Sequence, residues 1–169
     1  MTLKTKEIVL ASCLVGIVLG SGVVYLRHQT GTPSQLVAVP VVAPYGGQSM
    51  LPTETISIGD TKLTVEVATT SQEHQDGLSN RSSLSDGTGM LFIFDPPSAE
   101  GFWMKDMLFS LDIVWADANG TITTIDQGLS PETYPNVYRP SRPAKYVLEV
   151  PAGYAAKKGI AVGQKIVVQ

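Results

Sequence analysis

Three charged residues, Lys105, Asp106 and Asp112, sit inside an otherwise apolar run at 101–116, G-F-W-M-K-D-M-L-F-S-L-D-I-V-W-A. An ionic group in such a run needs a partner or a cavity, because burying it unpaired is strongly unfavourable. The run also holds both tryptophans. Phe102, Trp103 and Met104 can therefore be core or a wall on which a ring or sugar stacks. On a strand, the adjacent Lys105 and Asp106 would point to opposite faces. Lys105 would then have to find Glu149, Asp112, Glu100 or an anionic ligand. Asp112, between Leu111 and Ile113, suits capping of backbone N–H groups or pairing with Arg81; the alternative is a cleft carboxylate acting as acid or base. Arg81 could grip a carboxylate with both arms of its guanidinium, in the protein or in a ligand. Glu149 alternates with Leu148 and Val150 and is expected to be exposed, but if it converged on Asp112 the two would form a general acid/base pair. The candidate ligand-binding set is thus Arg81, Trp103, Lys105, Asp106 and Asp112, and the catalytic alternative is Asp112 with Glu149. His74, among Gln72, Glu73, Gln75 and Asp76, reads as a solvated helix residue.

Several function classes are disfavoured. From Glu54 onward there are 9 Lys+Arg against 14 Asp+Glu, a net charge of −5. That balance speaks against non-specific nucleic-acid binding, which needs a basic face. Cys13 is the only cysteine and lies in the N-terminal apolar segment, so no internal disulfide forms. With only His28 and His74 besides, a His/Cys metal site is not expected, although an all-oxygen cation site stays open. No G-x-S-x-G, phosphate-cradling glycine loop or nucleophile pair is present, and no cofactor is expected.

The elements that must position these residues are mostly strands. Ile56 and Ile58, then Leu63, Val65 and Val67, alternate around Gly59-Asp60, which predicts a hairpin. Thr70 with Glu73 makes a capping box for a short helix that Gly77 would stop. Met90 to Phe94 is an unbroken apolar run suited to a strand buried on both faces, ended by Asp95-Pro96-Pro97. Leu111 to Ala116, the Asn119-Gly120 turn and Thr121 to Asp126 form a second hairpin. The stretch 128–143, with four prolines, reads as a long functional or mobile connection. Tyr146 to Val150 is a strand, 151–158 a short helix and Lys165 to Val168 a closing strand. The expected class is mainly β (α+β): a compact barrel-like antiparallel or mixed sheet with two short helices.

Before it, 8–26 is 19 residues without a charge, close to the roughly 20 apolar residues that span a bilayer. Lys4 and Lys6 precede it and Arg27 follows, which orients the N-terminus to the cytoplasm. The expected organisation is a cytoplasmic tip and transmembrane anchor at 1–27, a Pro/Gly-containing linker free of charged residues at 28–53, and the folded domain at 54–169. A cleaved signal sequence is the alternative for the first segment. Leu10-Ala11-Ser12-Cys13 also resembles a lipobox.

The strings G-L-S-N-R at 77–81, G-M-L-F-I-F at 89–94, F-W-M-K-D-M at 102–107, L-D-I-V at 111–114 and V-L-E-V-P-A-G at 147–153 occur in that order. This set resembles the domain-of-unknown-function 192 family of bacteria and archaea, over about 55–169. The family's strings run close to G-L-M-x-R and F-W-M-K-N-T followed by P-L-D. This chain differs at Ser79, Asp106, Met107 and Ser110, and Asp106 adds a negative charge beside Lys105. The resemblance implies the fold and an exported or membrane-attached setting, and assigns no activity.

These readings converge on a non-enzymatic binding module for a small polar ligand, a glycan or an envelope partner. It would be held by one membrane span with its domain outside the cytoplasmic membrane, or secreted to the periplasm after signal cleavage. A hydrolase-like enzyme using Asp112 and Glu149, or a purely structural envelope protein, are the alternatives.

Overall fold

The computed structural model describes residues 51–169 and, before them, only the backbone of two short strands, β1 (Gly16–Val18) and β2 (Val23–Tyr25). The chain divides into two units, Met1–Val42 and Ala43–Gln169. In the first, β1 and β2 pair antiparallel, Gly16 opposite Tyr25. The transmembrane helix expected over 8–26 is not supported. The described parts of that run are strands, and among the described residues no helix is long and apolar enough to cross a membrane. The local sequence offers a reason: β-branched residues flank Gly20-Ser21-Gly22, a pattern that favours paired strands over helix. The rest of the expected anchor, its signal-sequence and lipidation alternatives, and the linker up to residue 50 lie outside the described residues.

In the second unit the alternating residues form β3 (Thr53–Ile58) and β4 (Thr61–Ala68), joined by Gly59-Asp60 with Gly59 at φ 56°. Helix α1 (Ser71–Asp76) follows, opened by the capping box. The Thr70 hydroxyl accepts from Glu73 N–H at 3.3 Å, and the Glu73 carboxylate accepts from Thr69 and Thr70 N–H at 2.7 and 2.9 Å. Those backbone donors favour the ionised form and hold the Glu73 pKa below its ordinary value. Next come β5 (Thr88–Ser98), the two-residue β6 (Phe102–Trp103), β7 (Leu111–Ala116) and β8 (Ile122–Leu129). A 3-10 turn (Pro131–Thr133), β9 (Val137–Tyr138), β10 (Ala144–Pro151), α2 (Tyr154–Lys157) and β11 (Ile166–Val168) complete the unit.

Seven strands form one sheet in the order β11-β3-β4-β5-β10-β7-β8. Only β4 and β5 run parallel, with α1 inside their connection. The sheet curls until its outer strands approach at one end. There Thr121 bridges Lys165, Ile122 N–H donates to Gln164 O at 2.8 Å, and Ile166 N–H donates to Gly120 O at 2.9 Å. The result is the expected barrel-like sheet in a half-closed form. Gly120 permits the closure: its φ is 77°, and a Cβ there would stand 2.5 Å from Ile166 O. The Asn119-Gly120 turn is further fixed by the Asp117 carboxylate, which accepts from Asn119 and Thr121 N–H at 2.9 and 3.0 Å.

Two cores fill the two faces. Inside the curl lie Ile56, Leu63, Val65, Leu91, Val114, Leu148 and Val150. On the outer face lie Ala68, Met90, Phe92, Ile113, Trp115 and Val147, under Leu78, Met104 and Met107. The central strands are therefore covered on both sides, as the apolar run in β5 implies. Two expectations are corrected. Asp95-Pro96-Pro97 does not end β5, which continues to Ser98; the ladder with β10 slips there, between Ala144 and Tyr146, so no proline N–H is required. The stretch 128–143 is not structureless either: it contains the end of β8, the 3-10 turn and β9, which pairs with β6 as a two-stranded arm.

Candidate functional site

The cross-strand register sorts the candidate residues. Glu149 on β10 stands opposite Met90 on β5 and Ile113 on β7; Glu66 on β4 also stands opposite Met90, and Asp126 on β8 opposite Ile113. These residues form one row across the outer face. Asp112 stands opposite Val150, one position along, and so points to the inner face. The acid/base pair of Asp112 and Glu149 is therefore not brought together, and the two carboxyls cannot flank one bond or one water.

Asp112 is occupied by the backbone. It has 0% of its surface exposed. One carboxylate oxygen accepts from Gly128 N–H at 2.8 Å and Gly153 N–H at 3.0 Å, and the other from Ala155 N–H at 3.0 Å. It ties the end of β8 and the start of α2 to β7. Arg81 is likewise engaged: its Nη1 and Nη2 donate to the two carboxylate oxygens of Glu66 at 2.6 and 2.7 Å. Lys105 and Asp106 are exposed. They are not on a strand, because β6 stops at Trp103 and the chain turns, with Asp106 at φ 57°. Ser79 Oγ donates to Lys105 O at 3.3 Å, and Asn80 N–H to Asp106 O at 2.8 Å, so this turn docks against 79–80 through its backbone. The Lys105 ammonium joins none of the ion pairs among the described residues, and the acids proposed for it do not reach it.

Two residues remain, and both line one cleft of about 400 Å³ on the outer face. Glu149, expected to be exposed, has only 6% of its surface accessible, because α1 and the β6–β9 arm cover the side of β10 that alternation marks as wet. Among the described residues its carboxyl has no hydrogen-bond partner. Burial raises its pKa from 4.5 to about 8, against the smaller opposing pull of the Arg81 charge. Trp103 is 50% exposed and lines the mouth, while Met104 beside it is core.

The walls are aromatic, and sequence reasoning missed most of them. Phe92 and Phe102 meet edge to face at 4.9 Å between centroids, Phe94 and Phe102 at 6.3 Å, and Phe102 and Trp115 at 5.1 Å. The Trp115 indole N–H donates to Asp126 at 2.8 Å, which keeps that ring fixed below. His74 is not a free surface residue. Its ring packs 4.4 Å from Phe94, and its Nε2–H donates to Ala68 O at 3.1 Å. Nothing in S-Q-E-H-Q-D marks one face of α1 as inward, so no sequence signal singled out His74. Asp76, Glu100 and Arg139 add charge to the lining. Gly101 lets the arm close over it, since a Cβ there would collide with Val137. Among the described residues, no group of three His, Cys, Asp or Glu side chains is placed to hold a metal.

Removing Arg81 tests the electrostatics. Arg81→Ala will move the Glu149 titration above about 8, because the charge that opposes the desolvation shift is gone. It will also lower stability by about 1 kcal/mol, the scale of a partly exposed bidentate pair. Carboxyl-detected NMR titration and urea unfolding read the two effects.

A curled mixed sheet carrying a small helix and a two-stranded arm over one face, with an acid-floored aromatic cleft between them, defines the class. The chain belongs to the DUF192 family (Uncharacterized ACR), whose model matches residues 54–168. Two solved structures are similar. A proposed transcription regulator from Sinorhizobium meliloti 1021 is 28% identical, with a TM-score of 0.67 over 72% of this chain and 98% of that one. A protein of unknown function from Novosphingobium aromaticivorans DSM 12444 is 29% identical, with a TM-score of 0.66 over 81% of this chain and 99% of that one. No curated protein matches the chain.

Proposed function

We propose that the domain is a binding module whose outer-face cleft takes a small polar ligand. One observation carries this reading: the Glu149 carboxyl is almost fully buried at a cleft, without a hydrogen-bond partner, beside a half-exposed tryptophan. No side-chain oxygen that is itself sealed from solvent lacks a partner among the described residues, so the unpaired Glu149 oxygens are the part of the residue that opens on the cleft, where a ligand can take the place of water. A catalytic reading has less support, because the second carboxyl it needs, Asp112, faces the other core and is filled by three backbone donors. The regulator description of the Sinorhizobium protein does not favour a nucleic-acid partner here, given the net charge of −5 from residue 54 onward. Membrane attachment through 8–26 belongs to the same proposal and rests on the apolar composition of that run alone.

Titration with a panel of small amines, polyols and monosaccharides, followed by thermal shift and tryptophan emission, tests the reading. Trp103→Ala should weaken any ligand found by about tenfold, as loss of a stacking residue at a binding site does. It should leave unfolding free energy within about 0.5 kcal/mol, the usual range for an exposed position. A panel without a single thermal shift or emission change removes the proposal.

A further inference from the structure

Within that binding reading, we infer that the cleft is built for a small ammonium group bearing N–H donors, with the Glu149 carboxylate as its acceptor and the surrounding aromatic rings as its wall. Three observations point the same way. The one buried polar side chain that lines the cleft, among the described residues, is an acid, and no protein group hydrogen-bonds it. Phe92, Phe94, Phe102 and His74 line the same space, and aromatic faces attract cations more strongly when water is displaced. Even with Glu149 protonated, the lining sets Asp76 and Glu100 against Arg139, and Arg139 Nη1 is already committed to Ala99 O at 3.0 Å. An anion would meet a net negative lining. A neutral hydroxyl would satisfy the carboxyl but leave the aromatic wall without its electrostatic role. The volume, about 400 Å³, admits an amine on a short chain.

The chemistry is non-covalent and its proton balance is defined. The buried carboxyl holds its proton at neutral pH when the cleft is empty. An ammonium ligand displaces that proton to solvent and pairs with the carboxylate. Affinity should therefore rise with pH until about 8 and fall again as the free amine loses its own proton near about 10. A hydroxyl ligand, which can accept from the protonated carboxyl, would not gain affinity over that range. The other charged or titratable groups of this face are Arg81 and its partner Glu66, Asp126, which accepts from Trp115, His74, which donates to Ala68 O, and Tyr138 of β9, which packs against the outer-face core. Asp76, Glu100 and Arg139 line the cleft itself.

The experiment compares pentane-1,5-diamine, pentane-1,5-diol and tetramethylammonium by calorimetric titration at about pH 6, 7 and 8. The expected result is diamine binding that strengthens across that series, with the diol and the N–H-free cation at least about tenfold weaker. Glu149→Gln, with folding checked by circular dichroism, should weaken the diamine by about tenfold or more, and Glu100→Gln at the exposed rim by about two- to threefold. Equal binding of the diol, equal binding of tetramethylammonium, or a Glu149→Gln protein that keeps full affinity overturns the ammonium assignment and leaves the binding module standing. Failure of these probes together with the polyol and sugar panel overturns both.

Discussion

Asp112→Ala will destabilise the domain by on the order of 4 kcal/mol, a drop in Tm of roughly 15 °C or more for a domain of this size. The magnitude follows from what the carboxylate holds. Three backbone N–H groups, from Gly128, Gly153 and Ala155, have their acceptor only in Asp112, and the site is closed to water. Alanine leaves all three donors unpaired and opens a small cavity between β7 and α2. Asp112→Asn keeps one oxygen, enough for Gly128 and Gly153, but turns an NH2 group toward the N–H of Ala155. Its loss should be smaller, about 1–2 kcal/mol. Equilibrium urea unfolding of the three proteins gives the order wild type, Asn, Ala. An alanine variant within about 1 kcal/mol of wild type would mean that the cap contributes little. Because Asp112 faces away from the cleft, neither substitution removes a side chain from the cleft lining, so at temperatures where the variants are folded their ligand response should persist.

The parts of this fold that were legible are those written in local chemistry. The β3–β4 hairpin, the Thr70–Glu73 box, the buried β5 run and the Asn119-Gly120 turn each depend on residues within about ten positions of one another, and period-two alternation plus turn residues specify them. The directions of the charges were not legible, because they depend on what covers the sheet. V-L-E-V reads as a strand with one wet face, yet α1 and the β6–β9 arm lie over that face and bury Glu149. F-W-M-K-D-M reads as a continuing strand, yet the backbone turns at Asp106, a residue type that tolerates positive φ, and sends Lys105 into solvent. The apolar length of 8–26 suggested a helix, while β-branched residues on either side of the Gly20-Ser21-Gly22 sequence carried the shorter-range signal seen in β1 and β2. The expected compensation for buried charge does exist, but it is distributed: Asp112 is paired with backbone and Arg81 with Glu66, and only Glu149 is left for the cleft.

Glu149 should make the domain lose stability as pH rises, the reverse of an ordinary carboxylate. Its pKa is about 8 in the folded domain against 4.5 for a free glutamate, so the folded state keeps the proton over a range in which the unfolded chain has released it. Its favourable contribution is fully present below about 4.5 and is lost progressively as pH rises through about 8. Glu73 acts in the opposite sense, since its lowered pKa contributes stability that is lost only as pH falls through that lowered value. Tyr154, whose pKa is raised chiefly by burial, adds a loss only above 10. The interval between about 4.5 and 8 therefore reports on Glu149 with little interference from these two groups. Glu149→Gln mimics the protonated acid and removes the titration. It should match wild type within about 1 kcal/mol near pH 4 and exceed it by on the order of 3 kcal/mol near pH 9. Urea unfolding of both proteins across that range decides the matter, and parallel curves would show that the carboxyl does not stay protonated in the folded domain. A glutamine that improves stability at alkaline pH would also say why the acid is there. In this row across the sheet, Met90 and Ile113 show that an apolar side chain is accommodated on either side of the same position. A carboxyl that weakens the fold gains a rationale only from what it meets in the cleft.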